Sequence, residues 1–527
     1  MTYYAAVAAV RIQTWLARTP SLRFVRGASR ALSSTTRNHG DEATEDRPVS
    51  MPALKERAGF PSSVDVDQET AEVAGVCVLR SDSVEDLDEA VDRLLDYLQR
   101  QLPGVEWTAW RAAAPSYVNA RQQVRSPDRE TADIKHWPHR LPLSLDLPFM
   151  QPCGRCSHEM ATRAVHDPDD AANRLLIGPD CYARHDAGVD LLFDDFDQLV
   201  RQDFDQLVRQ GARGVTRGRR DAANHLATIC ADGNKMGEFF DKVAELDNAE
   251  LQTKLSNAVT CSIEQATKEA ACCGPESQRH VAITHFAGGD DVFASVAANF
   301  AWQYVETLGR RFEEEFRKHV EDAFAGAGDE PAGHPKPDAE SKPDADSPWA
   351  AVRTAAKDVS LGIGMAFAHY KHPIAACREA ALAAEKHAKR NSRGEYSAVA
   401  WVDLTVESLG GADGDRLPED RLVDVKQLTK DLAAPDPVLT MPSSARNRLV
   451  ALLRPRQEEK AAQIAEGVLA WAERVGRGDE LPTDLRQDPD TAVEKLRLTA
   501  DRARWWPIAR DPEGSEPGEA AEESWPC

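Results

Sequence analysis

Ala231-Asp232-Gly233-Asn234-Lys235-Met236-Gly237 and Ala287-Gly288-Gly289-Asp290-Asp291-Val292-Phe293 are the two stretches whose reading decides the fold. Each closes an apolar run, His225–Cys230 before the first and Val281–Phe286 before the second. Both read as strands that end in a Gly/Asp turn. In the second, paired glycines supply the positive φ of a tight hairpin, which puts Asp290 and Asp291 at an exposed tip. In the first, Asp232 stands where a strand gives way to a helix. If the two strands are neighbours, three carboxylates converge and repel one another unless a cation joins them. Hard oxygen ligands of this kind suit Mg²⁺ or Mn²⁺, with waters and substrate phosphates completing the shell. Two such ions would activate a 3′-hydroxyl and stabilise a leaving pyrophosphate. The reaction class is nucleotidyl transfer or cyclisation from a nucleoside triphosphate. Gly-Gly-Asp-Asp alone is an ordinary hairpin turn; the pair of motifs, in this order with a helical span between, is far more specific.

Outward from this pair, the chain reads as α+β. It has 527 residues, enough for several domains. The formal net charge of −23 excludes a generic nucleic-acid coating protein, so any RNA contact must use local basic patches. Ten irregularly spaced cysteines do not form a secreted disulfide framework. No apolar run is long enough to span a membrane, so the expectation is a cytoplasmic protein with no membrane partner.

Residues 1–145 read as a first ferredoxin-like palm without Gly-Gly-Asp-Asp. Tyr3–Val10, Glu72–Leu79 and Val105–Arg111 read as strands, with helices from Arg11 and over Glu85–Leu102. Where the second palm carries its acids, this region offers Val78-Leu79-Arg80-Ser81-Asp82. Residues 146–220 read as a zinc-knuckle and helical region. Cys153-Gly154-Arg155-Cys156 and Cys181 suit one structural Zn²⁺, with His185 or His158 as fourth ligand. A regular second Cys-x₂-Cys would put cysteine at Arg184, so a decayed finger of ordinary cysteines is the competing reading. The repeated eight-residue segment in 195–210 reads as a duplication within a helix, and the arginines of 213–220 as an RNA-phosphate contact or a solvated linker.

The second palm fills 221–411, with a disordered insertion over 326–347 rich in Pro, Asp and Lys. Gly288, Gly289, Gly233 and Asn234 flank the acids as candidate nucleotide contacts. Ser360, Gly362, Gly364 and Ala366 form a bare strand face that either admits a purine base, with Ser360 as its contact, or lets a helix come close. Lys386 and Lys389, near the end of a helix over Ile374–Lys389, could bind a triphosphate or simply be solvated at the helix end. His369 is equally ambiguous. Residues 412–510 read as a helical C-terminal domain, Trp505-Trp506 as a subunit contact or core, and 511–527 as an acidic tail.

These motifs resemble the large subunit of type III CRISPR effector complexes. Ala231–Gly237 and Ala287–Asp291 look like its second palm. Gly362–Pro373, with His369-Tyr370-Lys371, and Glu385–Lys389 resemble two later motifs in family order. The His-Tyr-Lys variant is closest to the III-B, or Cmr, branch. Arg26-Gly27-Ala28-Ser29 resembles a turn of the family's first palm, although Arg11 stands where the family usually has glycine. The resemblance also favours a folded reading of the acid-free residues 1–40 over a transit peptide. It implies two nucleotidyl-cyclase-like palms, an intervening zinc module and a helical C-terminal domain. It further implies ATP as substrate, Mg²⁺ held by Asp232, Asp290 and Asp291, and cyclic oligoadenylate made when the complex binds target RNA. Implied partners are guide and target RNA, and sibling subunits met through the first palm and the C-terminal domain. No HD nuclease domain is expected, because His166-Asp167 and His185-Asp186 fall among turn residues. A non-catalytic scaffold subunit and a stand-alone signalling cyclase are the alternative readings.

Overall fold

The computed structural model describes residues 2–19, 22–38, 52–67, 75–125, 134–141, 151–167, 170–189, 207, 224–246, 248–272, 281–326, 348–405, 421–453 and 460–506. The repeat in 195–210 (Leu207 aside), the basic segment, the insertion beyond Gly326 and the acidic tail lie outside the described residues.

Tyr3–Val10 (β1) is apolar along its whole length, which suits a central strand covered on both faces. It lies in a five-stranded sheet between Val76–Ser81 (β3) and Glu106–Ala113 (β4), antiparallel to both, with Asp65–Val66 (β2) and Lys135–Trp137 (β5) at the edges. Leu22–Thr36 (α1) and Val84–Gln101 (α2) complete a β-α-β-β-α-β order, with the 2-3-1-4 strand arrangement of a ferredoxin-like fold. The short β2 and β5 are the strands of this sheet that the sequence reading missed. That reading also misplaced the counterpart of the acids. Val78–Asp82 ends β3, at the opposite end of the sheet from the β2–β3 turn. The end of β3 nearest that turn is Val76, paired with Ala8 on the face away from α1 and α2, and it offers no acid.

A turn over 153–159, closed by a Pro152↔Met160 bridge, leads into the hairpin Arg163–Asp167 (β6) and Asp170–Ile177 (β7), then the helix Pro179–Val189 (α3). His166 and His185 therefore sit in a strand and a helix rather than in turns. Arg184, where a fourth cysteine would stand, is fully buried and does something else. Its Nε donates to Asp180 (2.9 Å), its Nη2 to Trp15 O (2.8 Å), and its guanidinium lies over the Trp15 ring. It thus docks α3 on the first palm.

The second sheet is six-stranded: Leu422–Asp424 (β13), Ala398–Asp403 (β12), Ser360–His369 (β11), His225–Asn234 (β8), Asp291–Ala297 (β10), Ala282–Gly288 (β9). The order β11-β8-β10-β9 repeats the ferredoxin-like arrangement of the first palm. Met236–Ala244 (α4), Ala249–Ala271 (α5) and Ala301–Gly326 (α6) belong to its core layer, where Phe239, Leu255, Phe312 and Phe316 meet Ile229 and Val292. Ile374–Ser392 (α7) covers the other face beside the first palm; Cys230, Phe293, Ala366 and Ala381 share one core with Ala5, Val7 and Leu79. The palm runs past 411, since β13 closes its edge and Val425–Ala433 (α8) adds Val425 and Leu428 to its core.

Ser443–Leu453 (α9), Ala461–Val475 (α10) and Pro489–Ala503 (α11) pack around Leu449, Val468 and Leu496 as a separate helical unit. Trp505 and Trp506 leave it to enter the palm core. Trp505 stacks on Phe367 (5.2 Å between centroids) and donates Nε1–H to Asp403 (2.9 Å). They are core residues, not a subunit contact. Among the described residues, no helix is long and apolar enough to cross a membrane.

Candidate active site

The site forms at one end of β8. Register does most of the work. Val292↔Ala231 brings Asp291 beside Asp232, and Gly362↔Asp232 brings β11 to the other side. The hairpin between β9 and β10 is tight: Gly288 and Asp291 pair, leaving Gly289 and Asp290 as the turn. Gly289 has φ +62°, the first-position glycine a two-residue type II′ turn requires. Asp290 folds back on β8, where a Cβ on Gly233 would lie 2.8 Å from its Oδ2. The tip is not exposed, contrary to expectation: Asp290 and Asp291 are both partly buried.

Burial, and then the charge of Asp232, push Asp290 up to about 6. The same two causes push Asp291 up to about 7. The acids are thus under-neutralised, the condition in which a cation binds. One cation is already there. Lys389 Nζ donates to Asp232 Oδ2 and to Gly233 O (3.1 Å). The three aspartates do not gather within 4.8 Å of one another as the cysteine cluster below does. Because both raised acids must lose protons to hold a metal, Mn²⁺ affinity should rise on the order of 100-fold between pH 5.5 and 8. Electron paramagnetic resonance of free Mn²⁺ across that range checks it; a flat profile would contradict the shifted acids.

The remaining nominated residues divide. Lys389 reaches the acids, whereas Lys386, one residue past Glu385, is exposed. Asn234 and Ser360 are buried and satisfy each other: Asn234 Nδ2 donates to Ser360 Oγ (2.9 Å), which donates to Gly394 O (3.3 Å). The bare face of β11 is helix packing. A Cβ on Gly364 would lie 2.0 Å from Ala381 O, and one on Gly362 would lie 2.4 Å from Lys389 Cγ. His369 pairs with His225 at the far end of β8 and is not near the acids. Glu385 is the residue the sequence reading missed. It is 6 % exposed, its Oε1 is 3.8 Å from Lys389 Nζ, and burial raises it to about 7.

A second group lies in the knuckle. Cys153, Cys156, Cys181 and Glu159 are all buried, with ligand atoms within 4.8 Å of one another. The fourth member is Glu159, not His185, whose ring rests near Phe24 (6.0 Å between centroids), nor the exposed His158. Glu159 also accepts the first N–H groups of α3, from Asp180 (3.0 Å) and Cys181 (2.9 Å). Hydrogen bonds from the other two thiols pull Cys153 down, and Cys156 is correspondingly pushed up to about 11. One ready thiolate, two further sulfurs and a carboxylate suit tetrahedral Zn²⁺.

Residues 225–328 match the family model of the Cas10/Cmr2 second palm domain. No curated protein matches the chain. Among solved structures, the apo Csm1–Csm4 cassette aligns with TM-score 0.48 and 11% identity, over 96% of this chain and 70% of that chain. The same cassette in complex with cA4 gives 0.47 and 11%, over 95% and 70%. Csm1 of T. onnurineus gives 0.46 and 14%, over 95% and 70%. At these TM-scores the alignments carry no functional inference.

Proposed function

We propose that this chain is the large subunit of a type III CRISPR effector and converts ATP to cyclic oligoadenylate at its second palm. The single observation that carries the reading is the joining of Asp232, Asp290 and Asp291 at one strand end, inside the segment that matches the Cas10/Cmr2 second palm. Asp232, Asp290 and Asp291 would hold Mg²⁺ or Mn²⁺, which supplies Lewis-acid activation of a 3′-hydroxyl and charge neutralisation at the leaving pyrophosphate. The chain's own groups do the rest. Gly288 and Gly289 keep the turn bare, and a Cβ on Gly289 would meet nothing within 4 Å, so phosphates can approach the backbone. Lys389 offers a flexible point charge to the triphosphate. We assign Asn234 and Ser360 to holding the strand ends in register rather than to the base. Cys153, Cys156, Cys181 and Glu159 would hold Zn²⁺, tying the knuckle to the start of α3.

In the assembled complex, target RNA would switch the reaction on, with sibling subunits met at the first palm and the C-terminal helices. The test is ATP conversion by the assembly isolated from its host, with and without matching target RNA. Target-dependent oligoadenylate supports the reading. A co-purified small RNA without product would favour a scaffold, and product without RNA a stand-alone cyclase. The zinc assignment has its own test. The purified chain should carry one equivalent of zinc, lost in Glu159→Ala and kept in His185→Ala; the reverse pattern would return the fourth position to histidine.

A further inference from the structure

We infer that Glu385 is a positioning residue that takes over the ammonium of Lys389 when Asp232 turns to a cation. This rests on the reading above, in which the three aspartates hold a divalent ion. Glu385 lies one turn before Lys389 on α7, which places both side chains along the same helix face. Its burial is imposed by the backbone. Gly364 brings α7 so close to β11 that a Cβ there would sit 2.2 Å from the Glu385 nitrogen. A carboxylate in such a place costs free energy unless a counter-charge is at hand. Among the described residues, Lys389 is the one cation paired with it, at 3.8 Å.

Lys389 is therefore shared unequally. It touches Asp232 and Gly233 O, with Glu385 one short swing away. Were Lys389 only the counter-ion of Asp232, a second buried carboxylate beside it would compete for the ammonium and repel Asp232 without use. A divalent ion on Asp232 must displace the ammonium. A lysine expelled from its partner with nowhere to go would oppose that binding. Glu385 gives it a place at the mouth of the site, from which it can face phosphate.

The test is Mn²⁺ binding to the purified full chain without ATP, read by electron paramagnetic resonance. Wild type should hold Mn²⁺ in a site absent from Asp290→Ala/Asp291→Ala. Glu385→Gln should weaken that binding on the order of tenfold, because Lys389 then stays on Asp232. Adding Lys389→Met to Glu385→Gln should restore it to wild-type strength or better, since the competitor is gone. Should Glu385→Gln fail to fold, Glu385→Asp keeps the charge, withdraws its reach and reads the same shift. Unchanged binding in Glu385→Gln would overturn the inference while leaving the cation site intact. Equal weakness in the single and double variants would make Glu385 act on the metal directly and also overturn it. No difference between wild type and Asp290→Ala/Asp291→Ala would remove the cation site, and the inference with it.

Discussion

Asp290→Ala/Asp291→Ala should lose ATP conversion on the order of a thousandfold or more, while the palm becomes more stable at pH 8. The loss follows from removing two of three carboxylates that act as a unit, where single contributions do not simply add. The gain follows from the raised acidities. A carboxylate ordinarily near 3.8 that sits at about 6 or 7 in the folded chain is disfavoured as an anion there. Its cost to folding is absent below pH 4 and fully present above pH 7. Removing Asp290 and Asp291 should therefore raise the melting temperature by a few degrees at pH 8 and by little at pH 4. The turn itself survives, because Gly289 supplies the positive φ and Gly288↔291 remains a backbone pair. Thermal melts at the two pH values, beside oligoadenylate chromatography, check both halves. Inactivity with lower stability at pH 8 would show a damaged hairpin instead of a dismantled charge site.

Gly364→Val should have the largest effect on folding. A Cβ there meets Ala381 O at 2.0 Å and Glu385 N at 2.2 Å, both backbone atoms that no rotamer can move. α7 must lift from β11, opening the small-residue seam of Ala380, Ala381 and Ala384. Overpacking of this kind costs about 3 kcal/mol or more. Gly362→Ala provides the contrast. Its nearest neighbour is the flexible stem of Lys389, at 2.4 Å, so the fold should persist while Lys389 is pushed off Asp232. Circular dichroism melts should therefore show a large loss for Gly364→Val and a small one for Gly362→Ala. Equal losses would mean that α7 is not docked at Gly364.

The acids and the hairpin were legible because a two-residue turn restricts its chemistry to glycine, and because adjacent aspartates on a β-turn need a reason. The strands β1, β3, β4, β8, β9, β10 and β11 were legible from periodicity, whereas β2, β5 and β13 are too short to show any. Glu385 was not legible. Among the alanines of α7 it reads as a solvated helical residue, and only the close approach at Gly364 buries it. An acid four residues before Lys389, flanked by Ala384 and Ala388, was the available signal. Glu159 was missed because the search for a fourth ligand was confined to cysteine and histidine. Arg184 and Trp505-Trp506 depend on surfaces far away in the chain, which local pattern does not reach.

The burial of Trp505 and Trp506 beside Trp302 and Phe367 sets an order of events during synthesis. The strands of the first palm are all made before β8, although its core is completed by residues as late as Val402. The six-stranded sheet waits for two tryptophans made more than a hundred residues after β11. Until then its aromatic layer stays open to chaperones and proteases. A chain cut short before Trp505 would carry Asp232, Asp290 and Asp291 on a sheet whose core is unfinished.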